Sequence, residues 1–229
     1  MTNQVNVNIM KESRRLRDIS IEGIAARWYD NNTRKHRLEE MKGYAKEATK
    51  YIQDGCSVLE VAPGPGYLVI ELAKLGNYKI IGLDISNDFV EIARRNAKEA
   101  GVDVQFQQGS VADIPFPCNT FDFIICTAAF KNFKEPLKAL SEMYRVLTLG
   151  GTALIIDLNR NVSNQQIEVY TKNIGAKGID KLIMKFMFKY FLRNGAYTKD
   201  EFIDLASKTE FKEYDIKEEG ISLYIYLRK

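Results

Sequence analysis

Between residues 57 and 158 the chain alternates short apolar runs with stretches of helical period. Ser57–Val61, Lys79–Asp84, Val104–Gln107, Phe121–Thr127 and Thr152–Leu158 read as strands. Most are apolar almost without interruption, as expected of strands covered on both faces. Tyr67–Leu75, Asp88–Ala100 and Pro136–Leu147 read as helices between them. Strand–helix alternation with right-handed crossovers predicts an α/β fold with a doubly wound, mostly parallel sheet. A helix at Thr198–Lys208 precedes two last strands, Lys212–Lys217 and Ile221–Leu227. Glu218-Glu219-Gly220 joins these as a hairpin, so a seven-stranded sheet ending in an antiparallel pair is expected.

Two helical regions flank this core. Lys11–Ile52 is rich in charge, interrupted at Gly23 and Asp30-Asn31-Asn32. Trp28, Tyr29, Leu38, Met41, Tyr44 and Ala45 are its expected buried face. Ser163–Asn194 forms a helical insertion after the fifth strand. The expected organisation is one domain over 1–229, with a helical cap at 11–52 and an insertion at 163–194. Met1–Met10 is polar and expected to be loosely attached.

Composition narrows the class. A hydrophobic fraction of 45% supports an ordinary globular core. A net charge of +3 from 33 basic and 30 acidic residues gives no general argument for nucleic acid. Cys56, Cys118 and Cys126 lack metal-ligand spacing, so neither a disulfide framework nor a metal site is expected. Free thiols and the lack of an apolar leader or membrane-length run lead to the expectation of a cytoplasmic protein.

The chemistry concentrates in Val58-Leu59-Glu60-Val61-Ala62-Pro63-Gly64-Pro65-Gly66-Tyr67. Between a strand and a helix, its glycines permit a tight turn and close approach to a ligand. Glu60 at the strand end can accept hydrogen bonds from an ammonium group. Asp84, twenty residues after Gly64, ends the neighbouring strand and can take both hydroxyls of a ribose. Together these residues imply an adenosine-containing ligand; a plain structural turn and a solvated helix cap are the bland alternatives. The loop Gly109–Phe116 can bracket an adenine ring, and Tyr144-Arg145-Val146-Leu147 precedes Gly150-Gly151 and a strand.

With these motifs in view, the chain resembles class I S-adenosyl-L-methionine (SAM)-dependent methyltransferases, a Rossmann-like family. The resemblance is strongest to the branch of ubiquinone and menaquinone biosynthesis enzymes. It covers Ala25 to Leu158 well and Tyr197–Leu227 in part. It implies SAM as cofactor, S-adenosyl-L-homocysteine (SAH) as product and a small-molecule acceptor. It also implies that Glu60, Ala62, Gly64 and Gly66 surround the methionine part of SAM. Asp84 would hold the ribose, Ile85, Ser110 and Val111 would contact the adenine, and Cys126 with Thr127 would lie under the sulfonium. Ala25, Tyr29 and Asp30 match an Ala-x-x-Tyr-Asp pattern whose tyrosine closes over the methionine moiety. Ala62 stands where the family usually has glycine, Ser110 where aspartate is frequent, Leu149 where proline is common. Lys131-Asn132 replaces paired histidines, which points to a different acceptor from those of the best-known members.

No catalytic residue is assigned. His36 reads as an exposed helix histidine, while Tyr29, Lys131 and Asn132 are expected by analogy to face the acceptor. In the insertion, Lys181, Lys185, Lys189 and Arg193 form a basic ridge beside Ile179, Leu182, Ile183, Phe186, Met187, Tyr190 and Phe191. A packed helix at a dimer contact, a lid over a partly apolar acceptor and a peripheral membrane contact all fit that pattern. The chain is expected to be a monomer or homodimer. The competing functions are an RNA methyltransferase, a non-catalytic SAM-binding protein and an NAD(P)-dependent oxidoreductase. The first would want a basic groove with stacking aromatics. The last is disfavoured because Ala62-x-Gly64-x-Gly66 is not the dinucleotide pattern.

Overall fold

The computed structural model describes residues 20–175, 177–188 and 192–229. Seven strands make one sheet in the order β3-β2-β1-β4-β5-β7-β6. They are β1 (Ser57–Val61), β2 (Lys79–Asp84), β3 (Gln105–Gln108), β4 (Phe121–Thr127), β5 (Leu147–Leu158), β6 (Glu213–Glu219) and β7 (Ser222–Arg228). The first five are parallel, and β7 pairs antiparallel with both β5 and β6. The doubly wound sheet with its closing hairpin is therefore as expected. The fifth strand begins earlier than Thr152 because Leu147 already pairs with Phe121, and the register then shifts before Phe123.

Helices α1 (Gly23–His36), α2 (Leu38–Ala48), α3 (Tyr67–Ala73) and α4 (Asn87–Ala100) precede β3. On one side of the sheet Met41, Tyr44 and Ala45 of α2 pack with Leu68 and Leu72 of α3 and Val90 and Ala93 of α4. Helices α5 (Pro136–Val146) and α9 (Lys199–Ser207) cover the other side through Leu140, Met143 and Phe202. Caps fix the helix starts. Ser86 accepts the Phe89 N–H at the head of α4, and Thr198 with Glu201 forms a reciprocal capping box on α9. Trp28 departs from its expected buried position: it is 65% exposed, while Ala26 and Asp30 turn inward.

Among the described residues the insertion carries α6 (Asn164–Asn173) and α7 (Gly178–Met187), with the short α8 (Arg193–Gly195) at its end. Ile167, Phe188 and Leu158 form a small core beneath it, with Tyr170 and Met184 packed against them. Leu182 is 67% and Phe186 54% exposed on α7. Lys189, Tyr190 and Phe191, the side chains of Ile179 and Ile183, and everything before Ser20 lie outside the described residues. Among the described residues no helix is long and apolar enough to cross a membrane.

Candidate functional site

The carboxyl ends of β1, β2 and β4 meet at one edge, and the sharpest turn lies after β1. Ala62, Gly64 and Gly66 all take left-handed backbone angles, with φ of 55°, 55° and 80°. At Gly66 a Cβ would come within 2.9 Å of the Phe106 ring, so close packing as well as conformation demands glycine. At Gly64 a Cβ would meet only Tyr29, at 3.8 Å, so conformation alone makes the demand there. Ala62 carries its Cβ in a region that costs L-residues roughly 1–2 kcal/mol. A second strained alanine, Ala128 at φ 55°, follows β4.

Two buried acidic side chains stand at this turn with different hydrogen-bond partners. Glu60 is buried, and its Oε2 has no hydrogen-bond partner among the described residues. Burial pushes its pKa up to about 8, against a hydrogen bond from the Val69 amide and with a smaller push from the Asp84 charge. Asp84 is also buried, but each oxygen is engaged: Oδ2 accepts the Gly64 N–H and Oδ1 the Ser86 N–H, both at 2.9 Å. Burial raises its pKa while those amides hold it down. Asp84 thus ties the loop after β1 to the end of β2. A carboxylate has about four lone-pair sites, so it retains capacity for a ligand.

Beside these lies an open cleft lined by Val61, Ala62, Leu83, Ile85, Gly109, Ser110, Val111 and Phe133. Ile85 is 42% exposed at its rim. The Ser110 hydroxyl accepts the Ala112 N–H at 3.2 Å, which shapes the loop after β3. Four of the expected site residues, Ala62, Ile85, Ser110 and Val111, therefore share one wall. Phe133 was not anticipated; it enters through the short 3-10 turn Phe130–Asn132 after β4. Cys126 lies at the end of β4 but is fully buried, and burial lifts its thiol well above the usual range. A buried protonated thiol is an inert packing group.

Cap residues close the far side. Tyr29 packs edge-on against Phe89 and stands over Gly64. Asp30 points beneath the loop instead, accepting from the Tyr67 hydroxyl at 2.7 Å and Asn96 Nδ2 at 3.1 Å. Asn96 also donates to the Pro65 carbonyl, and Arg34 donates to both Tyr67 and Asn96. This network bolts α1 to the loop, and the isolated residues gave no sign of it. Ala25 is exposed.

Lys131 corrects an expectation. Rather than facing an acceptor it is 7% exposed. Its Nζ donates to Asp157 Oδ1 at 3.0 Å and to the Ala128 carbonyl, while its backbone N–H donates to Asp157 Oδ2 at 2.8 Å. The pair anchors the strained turn after β4 to the end of β5. Asn132 is exposed. The expected basic ridge is altered too: Lys181 and Lys185 both pair with Glu168 of α6, whose carboxyl they hold down at about 2. Among the described residues no cluster of His, Cys, Asp or Glu is arranged to hold a metal.

Comparison with known proteins fits this geometry. Residues 59–155 match the methyltransferase domain family. A ubiquinone/menaquinone biosynthesis C-methyltransferase of Bdellovibrio bacteriovorus is 30% identical over 187 residues, covering 71% of this chain and 80% of that protein. A demethylmenaquinone methyltransferase of Deinococcus radiodurans is 34% identical over 101 residues, 44% of this chain and 42% of that one. The chain thus aligns with less than half of one such relative and with most of another. A solved structure from Methanococcus maripaludis, described as a SAM-dependent methyltransferase, superposes with a TM-score of 0.79 at 22% identity, over 93% of this chain and 95% of that one. A left-handed loop after β1, acids ending β1 and β2, a parallel sheet closed by an antiparallel hairpin and a relative aligned over most of both chains converge on one conclusion: the chain belongs to the class I SAM-dependent methyltransferases, in the branch of the ubiquinone and menaquinone biosynthesis enzymes.

Proposed function

We propose that this chain transfers the methyl group of SAM to a carbon of a hydroxylated aromatic ring bearing an apolar portion. The observation that carries the cofactor half is the buried Glu60 carboxyl beneath the left-handed loop, whose Oε2 has no partner among the described residues. An isolated buried carboxyl favours a cation, and SAM presents an ammonium and a sulfonium. The pyrophosphate of a dinucleotide would meet an acid there, which argues against the oxidoreductase reading. Asp84 would hold the ribose; Ile85, Ser110, Val111 and Phe133 would flank the adenine; Tyr29 would close over the methionine end.

When bound, SAM supplies a methyl group already activated by its sulfonium. The chain's own task is to orient the acceptor and exclude water. The Lys131–Asp157 pair keeps the turn after β4 in one shape, and that turn would form the floor between cofactor and acceptor. The insertion would cover the acceptor. Lys181 and Lys185 are engaged with Glu168, so the exposed Leu182 and Phe186 of α7 are the features that suit an apolar molecule. The name of the Bdellovibrio relative, a C-methyltransferase of quinone biosynthesis, supports carbon as the methylated atom.

Calorimetry with SAM, SAH and NADH tests the cofactor, with binding of the first two only as the expected result. Methyl-labelled SAM with 1,4-naphthohydroquinone under anaerobic conditions tests the acceptor. Label recovered on ring carbon supports the reading; label on oxygen, or none, overturns it.

A further inference from the structure

A polar cluster between cap and insertion has no part in the roles above. Arg37, the residue joining α1 to α2, donates Nε to Glu40 Oε2 at 2.7 Å and Nη1 to the Tyr29 hydroxyl at 3.3 Å. Tyr44 donates to Glu40 Oε1 at 2.8 Å. Tyr170, from α6 of the insertion, reaches Glu40 Oε2 at 3.4 Å. The cluster therefore lies where the cap, the tyrosine above Gly64 and the insertion converge. The side chains of Arg37 and Glu40 are 19% and 17% exposed, so the pair is largely desolvated yet reachable.

We propose that Arg37 and Glu40, with Tyr170 beside them, form the subsite that recognises a ring hydroxyl of the acceptor. The proposal rests on the hydroxyaromatic reading above. A guanidinium only donates hydrogen bonds and a carboxylate only accepts them, whereas a hydroxyl does both. Placed side by side, Arg37 and Glu40 match one hydroxyl: an N–H reaches its oxygen while its proton points to the carboxylate. Arg37 has donors for this, since Glu40, Tyr29 and the Tyr170 hydroxyl engage three of its five N–H groups. The Tyr170 contact is long for an O–H···O bond, whose usual length is about 2.7–2.8 Å, so an acceptor hydroxyl can displace it. A carboxylate in the same place would be repelled by Glu40, so the pair selects a hydroxyl over an acid of similar shape. Tyr29 and Tyr170, both only partly buried, supply rings against which a flat acceptor can lie.

The test uses SAH-saturated full chain and three matched probes: 1-naphthol, naphthalene and 1-naphthoate. The wild type should bind 1-naphthol at least tenfold more tightly than either of the others. Arg37→Met and Glu40→Met should each reduce the naphthol-to-naphthalene ratio to near one, and Glu40→Gln, which keeps an acceptor oxygen but loses the charge, should improve naphthoate binding. Arg37→Lys and Glu40→Asp keep a donor and an acceptor; should the first variants fail to melt cooperatively, these two must retain part of the hydroxyl preference. A ratio unchanged in every variant, an equal loss for all three probes, or no hydroxyl preference in the wild type overturns the subsite. If hydroxyl preference is intact but no label passes from SAM to 1,4-naphthohydroquinone, the acceptor reading falls while the subsite stands.

Discussion

The loop after β1 and the insertion after β5 both sit at the carboxyl edge of the sheet, yet different forces shape them. The loop is set by backbone conformation: three left-handed residues, an Asp84 carboxylate gripping the Gly64 amide and a Gly66 pressed against Phe106. Little about it can change without breaking the turn. The insertion is set by side chains: a small apolar core under α6, two lysines on Glu168 and exposed Leu182 and Phe186. Rigid backbone suits a cofactor that is always the same molecule. If the insertion covers the acceptor as proposed, replaceable side chains suit a molecule that differs between relatives.

Substitutions can set the two regions against each other. The largest effect is expected from Gly64→Val, which forces a β-branched residue to φ 55°. SAM binding should fall below detection by calorimetry in a protein whose far-ultraviolet circular dichroism is unchanged; normal binding would remove the loop from the cofactor site. Asp84→Ala comes next. It would remove the proposed ribose partner and free the Gly64 amide, and should weaken SAM by about 1–3 kcal/mol, the range for buried partners left unpaired.

Glu60→Gln should have a smaller effect that changes with pH. The folded pKa of about 8 lies above the ordinary 4.5, so the folded chain binds this proton more tightly than the unfolded one. The contribution to stability is full below 4.5 and is lost as pH rises toward 8. Glu60→Gln should therefore raise the melting temperature of the free protein at pH 8 and leave it nearly unchanged at pH 5. A bound cation needs the ionised form, so wild-type SAM affinity should climb between pH 6 and pH 8 with up to one proton released per SAM bound. The glutamine variant should show a flatter profile by calorimetry in buffers of different ionisation enthalpy. Equal proton release in both would exclude Glu60 as the cation's partner. The smallest effect on SAM belongs to the insertion. Leu182→Ala with Phe186→Ala should shift SAM affinity less than twofold and stability by under about 1 kcal/mol, because both side chains are more than half exposed. The KM for a hydroquinone acceptor should rise several-fold; an unchanged KM alongside a lower melting temperature would make α7 ordinary packing.

The same contrast separates what could be read from the chain alone. The bounds of β1 and β2 are visible because their apolar runs end at Ala62-Pro63-Gly64 and at Asp84. Ala62 and Gly64 stand out because a turn of that tightness has a short menu of residues. Trp28 was misjudged because a large aromatic on a helix predicts burial, whereas its helix turns Ala26 and Asp30 inward. Lys131 turns inward because its partner, Asp157, lies 26 residues away on the neighbouring strand, beyond the reach of local spacing. Of the expected ridge only Lys181 and Lys185 share α7, and both turn to Glu168, which sits on a different helix and so leaves no mark in the local spacing. Phe133 and the Arg37–Glu40–Tyr170 cluster likewise join residues brought together only by the tertiary fold.

The hairpin also has a bearing on how the chain reaches this state. Thr152–Leu158 of β5 pairs residue for residue with Ser222–Arg228, the last strand in the sequence. During synthesis, the apolar Ala153-Leu154-Ile155-Ile156 stretch would leave the ribosome well before its antiparallel neighbour exists. For that interval one edge of β4–β5 is an open template of unpaired amides and carbonyls, able to recruit another nascent chain. Folding of this protein should therefore be limited by a long-range closure step, and should depend on chaperones that shield strand edges more than its modest size would suggest.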